Sequence, residues 1–332
     1  MEILDPGEEN LRRAGALIAA GGLVALPTET VYGLGADAFN ARAVARVFEA
    51  KARPSFDPLI VHIAALGDID RVARRPSALA RSLMEALWPG PLTLVLPKRE
   101  ELPDLVTSGL PTVAVRLPAH PVARAIIASS GTSVAAPSAN PFGYISPTRA
   151  EHVARMLGDR VDLIIDGGPC QVGVESTVLD MTVEPPRLLR PGGMELSRIE
   201  AVIGEISTKP LSPATEQDRP AGPGLLDSHY APRSPLVLLS REELRAMRPE
   251  GSARVGLLLF EDSSLEALGG REAFAVTRLL SPSGDLVEAA ASLFAHMHEL
   301  DALGLDEIWA ERVPEGGLGA AINDRLHKAS RK

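Results

Sequence analysis

A single cysteine, Cys170, stands in 332 residues. An intramolecular disulfide is thereby excluded and a thiolate-held metal cluster argued against, while a reducing cytoplasm suits the chain. Cys170 is not read as a nucleophile. No stretch approaches the ~20 apolar residues of a membrane span, and the acidic start Met1–Asp5 has no apolar signal-peptide core. The expectation is a soluble, cytoplasmic protein with no membrane partner. Surplus positive charge is missing too: the formal net charge of −9 disfavours a globally basic nucleic-acid surface, yet leaves room for a local cationic cleft and weak RNA contact. Familiar phosphate motifs are absent. There is no G-x-x-x-x-G-K-[ST], and Gly33-Leu34-Gly35 lacks the third glycine of the dinucleotide fingerprint, so a nucleotide site must be built another way. Nor do the seven histidines supply an H-E-x-x-H, and His296-x-His298 on a helix would diverge, which sets aside a histidine-bound catalytic zinc. The metal expected is magnesium held mainly by phosphate, with no protein-built metal site. Internal repeats, low-complexity tracts and heptads are also lacking.

What remains is an ordinary globular composition, 45% apolar, at a length suited to about two domains. The first two hundred residues alternate β-rich runs (Leu23–Leu26, Leu59–Ile63, Leu92–Leu96, Thr112–Leu117, Ser133–Ala136, Leu163–Asp166, Ser176–Asp180, Arg187–Arg190) with helical ones (Leu11–Ala20, Ala41–Ala52, Ala78–Leu87, Val122–Ala128, Arg149–Leu157). That is the pattern of an α/β domain. Thr148 and Glu151 read as a capping box for the last helix. The proline-rich run from Lys209 to Pro235 reads as a restrained linker. The division is therefore 1–204, a linker at 205–235, and a smaller α/β unit at 236–332. The latter holds Leu236–Leu239, a Ser240-x-x-Glu243 capping box, apolar runs Val255–Phe260 and Phe274–Leu280, and a helix near Leu286–Leu303.

Polar residues cluster where these elements meet. Between Pro27 and Ala36 the chain reads P-T-E-T-V-Y-G-L-G-A as a polar loop, followed by a helix that Asn40 caps and Pro54 ends. Val44, Val47, Phe48 and Lys51 share one stripe of that helix, so Lys51 is aimed inward and calls for an anion, unless it snorkels along the stripe. On Thr112–Leu117, alternation sends Thr112, Ala114 and Arg116 to the face opposite Val113, Val115 and Leu117. A surface-facing Arg116 is the plainer alternative. The loop Ala136–Thr148 offers Ser138, Asn140 and Ser146 to an anion, or merely makes a turn. Glu175-Ser176-Thr177 and Arg190-Pro191-Gly192 follow. Together Lys51, Arg53, Arg116 and Arg190 facing serines and threonines suit a polyanionic small molecule. His229-Tyr230 in the linker either packs or stacks on a base.

These motifs in this order, with Lys51-x-Arg53-Pro54, Pro58–His62, Trp88–Thr93, Ser138-Ala139-Asn140, Ser146-Pro147-Thr148, His229–Pro232 and Pro314–Ile322, resemble the YrdC/Sua5 threonylcarbamoyl-AMP synthases in their longer form. The resemblance implies a twisted mixed sheet with helices around a cationic cavity, plus a Rossmann-like C-terminal domain whose linker forms a lid. It implies that L-threonine, bicarbonate and ATP, with Mg2+ on the phosphates, give threonylcarbamoyl-AMP and pyrophosphate for t6A modification of tRNA by downstream transferase machinery. Threonine would contact Thr30, His62, Arg116, Ala136 and Ser176. ATP would contact Lys51, Arg53, Asp57, Thr112, Ser138, Asn140, Ser146, Arg190 and Tyr230, with Lys51, Arg53, Ser138 and Asn140 closest to the chemistry. The family usually carries asparagine where this chain has Asp57, a carboxylate that would repel triphosphate. Two rival readings are a carbamoyl-adenylate-forming carbamoyltransferase domain, whose usual additional parts are not visible in this sequence, and a non-catalytic double-stranded RNA-binding module, against which the net charge weighs.

Overall fold

A computed structural model of the protein describes residues 1–209, 229–268 and 273–331. They form two units. The first comprises Met1–Phe142, Pro147–Gln171 and residues 175–209; the second comprises Gly143–Ser146, Val172–Val174 and the described residues from 229 onward. Most of the stretch read as a lid, residues 210–228, lies outside the described residues.

In the first unit ten strands make one mixed sheet: β1 Glu2–Leu4, β2 Val24–Leu26, β3 Gly33–Asp37, β4 Ile60–His62, β5 Leu92–Pro97, β6 Thr112–Arg116, β7 Val134–Ala135, β8 Leu163–Ile165, β9 Thr177–Asp180 and β10 Arg187–Arg190. Their spatial order is 1-8-2-3-7-4-6-5-9-10. Strand β4 runs parallel to β6 and antiparallel to β7, while β5 is antiparallel to β6 and parallel to β9.

Alternation along these strands sorts the two faces. Leu59, Val61 and Ile63, Leu92, Leu94 and Leu96, and Val113, Val115 and Leu117 enter the main core, against Val44, Val47 and Phe48 of helix Ala41–Lys51 and Leu83, Met84 and Leu87 of helix Ala78–Leu87. On the opposite face Val24, Leu26, Val134 and Leu163 pack under helices Glu8–Ala19 and Pro121–Ser130. Further along that face, at β4, β6, β5 and β9, only a small cluster of Ile60, Val95, Ala114 and Val178 is apolar. The site occupies this end.

Asn40 caps its helix as the sequence indicates, its Oδ1 accepting from the amides of Arg42 (3.1 Å) and Ala43 (3.2 Å). Two strands of the first unit escape sequence reading. The Gly-Leu-Gly-Ala-Asp of β3 has little strand propensity, yet Gly35 belongs there because a Cβ would lie 2.9 Å from side-chain carbons of Leu26 and Val134. Strand β1 is short and edge-placed. The Thr148–Glu151 capping box is corrected: the helix runs Ala150–Leu157 with Arg149 at the N-cap and no side-chain cap. The His152 ring accepts the Thr148 amide at 3.3 Å instead.

The second unit has four parallel strands, β11 Leu236–Leu239, β12 Val255–Leu259, β13 Val276–Leu279 and β14 Glu307–Glu311, in the order 11-14-12-13. Helices Leu286–Asp301 and Gly319–Ala329 accompany them, giving the Rossmann-like arrangement expected. The Ser240–Glu243 capping box forms in both directions, at 3.2 and 2.7 Å. No helix among the described residues is long and apolar enough to cross a membrane.

Candidate active site

Four cations are buried in the first unit, with relative exposures of 1% for Lys51, 9% for Arg53, 3% for Arg116 and 4% for Arg190. Burying a charge is costly without compensation, so each must be held. They are held in three groups.

Arg116 closes β6 on the face of Ala114 and stands beside His62, its register partner on β4. Its Nη2 lies 2.6 Å from Glu29 Oε1, its Nη1 donates to Thr30 Oγ1 at 2.8 Å, and its Nε donates to Gly90 O at 3.2 Å. The loop carrying Glu29 and Thr30 is itself buried. Thr28 makes that possible, because its Oγ1 accepts from the Thr30 and Val31 amides, both at 3.2 Å, and donates to Val31 O at 2.6 Å. Burial pushes the Glu29 carboxyl up, but the Arg116 guanidinium and nearby backbone amides outweigh it and hold the group below its ordinary range. His62 moves down to about 3, through burial first and the Arg116 charge second. It is therefore neutral at working pH.

Thr93 and Val95 share one face of β5, and Ser176 precedes β9 on the face of Val178. Their hydroxyls meet at 2.7 Å. Arg190 reaches the same serine, donating from Nη2 to Ser176 O at 2.9 Å and to Oγ at 3.3 Å. A register shift between Leu188 and Arg190 supplies the turn of the strand that buries it. Gly192 lets the following turn approach, since a Cβ there would lie 2.3 Å from the Ser176 carbonyl carbon.

Lys51 ends its helix, with Ala52 at φ 50° as the left-handed cap. Its Nζ donates to the carbonyls of Ser138, at 2.5 Å, and Asn140. Burial, and then the neighbouring Arg53, drive the Lys51 ammonium well below its ordinary pKa, with Asp57 opposing. Arg53 Nη2 lies 2.9 Å from Asp57 Oδ2; the guanidinium also donates to Asp57 O (3.0 Å) and Pro58 O (2.9 Å), and sits 5.9 Å from the Phe142 ring centroid. The Asn140 side chain donates from Nδ2 to Pro141 O at 2.9 Å.

The residues singled out from sequence thus fall mostly into these groups: Lys51, Arg53, Asp57, Ser138 and Asn140 in one, Thr30, His62 and Arg116 in a second, Ser176 and Arg190 in a third. Ala136 hydrogen-bonds its amide to Ile60 O at 2.9 Å, next to His62 on β4. Thr112 is half-buried at the start of β6. Ser146 and Tyr230 belong to the second unit. There Ser146 O is 3.1 Å from His298 Nε2, and the buried Tyr230 packs on Phe294, 5.5 Å between centroids, beneath Arg325 at 5.3 Å. Sequence reasoning passed over Glu29 and Thr93. An acid between two threonines, and a threonine between leucines on a strand, were the available signals. Among the described residues no group of three or more His, Cys, Asp or Glu side chains is placed to hold a metal ion.

Residues 16–192 match the family model of the Sua5, YciO and YrdC proteins, described as "Telomere recombination". Residues 194–331 match "Threonylcarbamoyl-AMP synthase, C-terminal domain". The chain is 45% identical to a threonylcarbamoyl-AMP synthase of Pyrococcus abyssi, over 97% of this chain and 94% of the relative. It is 44% identical to the Bacillus subtilis protein of the same name, over 98% and 94%. Among solved structures it is similar to P. abyssi Sua5 complexed with L-threonine, with a TM-score of 0.89 and 42% identity, covering 99% of this chain and 97% of that one. Escherichia coli YciO, at 23% identity and a TM-score of 0.54 over 60% of this chain, shares the fold. This chain belongs to the Sua5/YrdC family, in the long form that carries a Sua5 C-terminal domain.

Proposed function

We infer that the protein is an L-threonylcarbamoyladenylate synthase, converting L-threonine, bicarbonate and ATP to threonylcarbamoyl-AMP and pyrophosphate. The observation that carries the reading is the set of four buried cations set among hydroxyl groups in the first unit. Such an arrangement meets the demand of the reaction. The threonine amine must become a carbamate anion, which then displaces pyrophosphate from the α-phosphorus, so two anions have to be brought together and aligned. Charge neutralisation does this without a protein nucleophile, and Cys170, buried and pushed up in pKa by that burial, has no part in it.

In this reading Arg116 grips the threonine carboxylate, with Thr30, neutral His62, Ser176 and the Ala136 backbone around the rest of the amino acid. Lys51, Arg53 and Arg190 face the phosphates, and Thr112, Ser138 and Asn140 complete the nucleotide contacts of the first unit. Asp57 is assigned to Arg53 as its counterion rather than to the triphosphate. A divalent metal such as Mg2+ would be held mainly by the ATP phosphates, where it would offset charge on the pyrophosphate leaving group. Residues 1–204 carry the chemistry. The product, a mixed anhydride, suits delivery to a tRNA-modifying transferase in the cytoplasm. Incubation with threonine, bicarbonate and ATP, followed by mass spectrometry and pyrophosphate assay, tests the reading. Pyrophosphate release that depends on carbamoyl phosphate in place of threonine would instead indicate carbamoyl-adenylate chemistry.

A further inference from the structure

The Arg116–Glu29 pair has the charges of an amino acid in reverse. A free α-amino acid carries a carboxylate and an ammonium separated by one carbon. The first unit presents a guanidinium and a carboxylate 2.6 Å apart, both at least nine-tenths buried, beside a neutral histidine. A buried ion pair contributes little to net stability, since desolvation offsets most of the attraction, so its retention calls for a use. All four buried cations, Arg116 included, also meet backbone carbonyls or hydroxyls. Glu29, in contrast, has Arg116 as its one ion-pair partner among the described residues.

Resting on the threonine-binding reading above, we propose that Glu29 receives the α-ammonium of the substrate while Arg116 receives its carboxylate. The internal pair opens onto a zwitterion of matching polarity, and each protein charge exchanges part of one partner for another. The consequence is selectivity for a free amino group, which is the group that must be carbamoylated. An N-blocked or α-hydroxy compound would leave Glu29 buried beside Arg116 with nothing gained. Glu29 acts here as a substrate-binding residue. Its carboxyl stays ionised, so the proton that the ammonium sheds before attack goes elsewhere.

The test is a ligand-by-residue cycle read by titration calorimetry on the full chain. The ligands are L-threonine and its α-hydroxy analogue 2,3-dihydroxybutanoate; the variants are Glu29→Gln and Glu29→Asp. Glu29→Gln is expected to weaken threonine about 30-fold, ~2 kcal/mol at 1.4 kcal/mol per tenfold, and the analogue less than threefold. The preference for the ammonium would then nearly vanish. Glu29→Asp keeps the charge and is expected to retain a preference within tenfold of the wild type, which also covers the case in which Glu29→Gln fails to fold. Equal weakening of both ligands in Glu29→Gln reduces Glu29 to a support for Arg116 and overturns the proposal. So does a preference lost as fully in Glu29→Asp as in Glu29→Gln. Failure of the wild type to bind threonine at all would overturn the functional reading together with this one, a result distinct from intact threonine binding with an unmoved preference.

Discussion

Replacing Asp57 by asparagine separates two jobs that a buried carboxylate performs at once. Its oxygen lies 2.9 Å from Arg53 Nη2, with side-chain exposures of 0% and 5%. At that distance the gross attraction is ~6 kcal/mol for an effective dielectric of about 20. Most of it offsets the desolvation of both groups, and removing one partner of such a pair typically costs about 3–5 kcal/mol, because the other charge stays buried. Asparagine keeps an acceptor oxygen for Arg53, so the ligand-free Asp57→Asn protein is expected to lose ~2–3 kcal/mol. That amounts to a fall of about 5–10 °C in melting temperature for a unit of this size. ATP should reverse the order. With the competing carboxylate gone, Arg53 turns its whole charge to the phosphates, and a gain of about 1–2 kcal/mol corresponds to roughly tenfold tighter binding. At a fixed, saturating ATP concentration the stability gap then narrows by about 1.4 kcal/mol. Thermal unfolding followed through Trp88, buried in the first unit, in a Trp309→Phe background, gives the stability, and calorimetry gives the affinity. Wild-type stability combined with tenfold weaker ATP binding would refute the reasoning, since Asp57 would then be a nucleotide ligand and no counterion.

Three further outcomes follow from the same geometry. Arg53→Ala is expected to lower kcat/KM by about 30- to 1000-fold, ~2–4 kcal/mol of transition-state stabilisation; near-normal pyrophosphate release would remove Arg53 from the phosphate site. His62 sits at about 3 when folded against an ordinary 6.5, so the unfolded chain takes up its proton first, and stability present above pH 6.5 is lost as pH falls towards 3. Between pH 7 and 5 this single group costs ~2 kcal/mol, and urea titrations should show that loss absent in His62→Gln; equal pH slopes would contradict it. In the second unit, Glu311 is buried and accepts from Arg241 Nε (2.8 Å), Ser264 Oγ (2.9 Å) and the Phe260 amide (2.8 Å). Glu311→Gln should therefore destabilise that unit by ~2–3 kcal/mol in Trp309-detected unfolding.

Two of the four buried cations announce their direction in the sequence and two do not. Lys51 shares a helical stripe with Val44 and Val47, and the helix is long and well capped, so its inward aim follows from the 3.6-residue period. For Arg116 the two-residue period fixes the face, opposite Val113, Val115 and Leu117, while leaving a surface-facing side chain the plainer reading that the structure overturns. Arg190 depends instead on a register shift, which leaves no mark in the composition of Arg-Leu-Leu-Arg. Arg53 lies beyond the helix end, where its direction is set by the carbonyls of Asp57 and Pro58. Glu29 was the hardest to find. A glutamate between threonines reads as solvated, and its burial arises from a loop that precedes a glycine-rich strand with no strand-like composition. The Thr148 cap failed by one residue, because His152 takes up the amide.

The placement of counterions explains how an acidic chain keeps a cationic site without the site tearing itself apart. Four like charges buried together would repel in the absence of ligand, and a protein that waited for substrate to neutralise them would be poorly folded until it arrived. Here the cations are held in two ways. Arg53 and Arg116 each have an internal carboxylate, Asp57 and Glu29, whereas Lys51 and Arg190 rest on backbone carbonyls. Carbonyls orient a cation without cancelling it, and an incoming anion would favour the Lys51 ammonium that burial and the neighbouring Arg53 disfavour, which suits this pair to phosphate. An ion pair cancels most of the field and yields it only to a ligand that replaces the carboxylate or binds it in turn. Arg116 with Glu29 can do so for a zwitterion, since both members find a partner. Arg53 with Asp57 cannot do so for ATP, which offers Asp57 nothing directly. Asp57 is thus an acid whose charge opposes the substrate, retained for the ligand-free fold, and it is where stability and nucleotide affinity pull against each other.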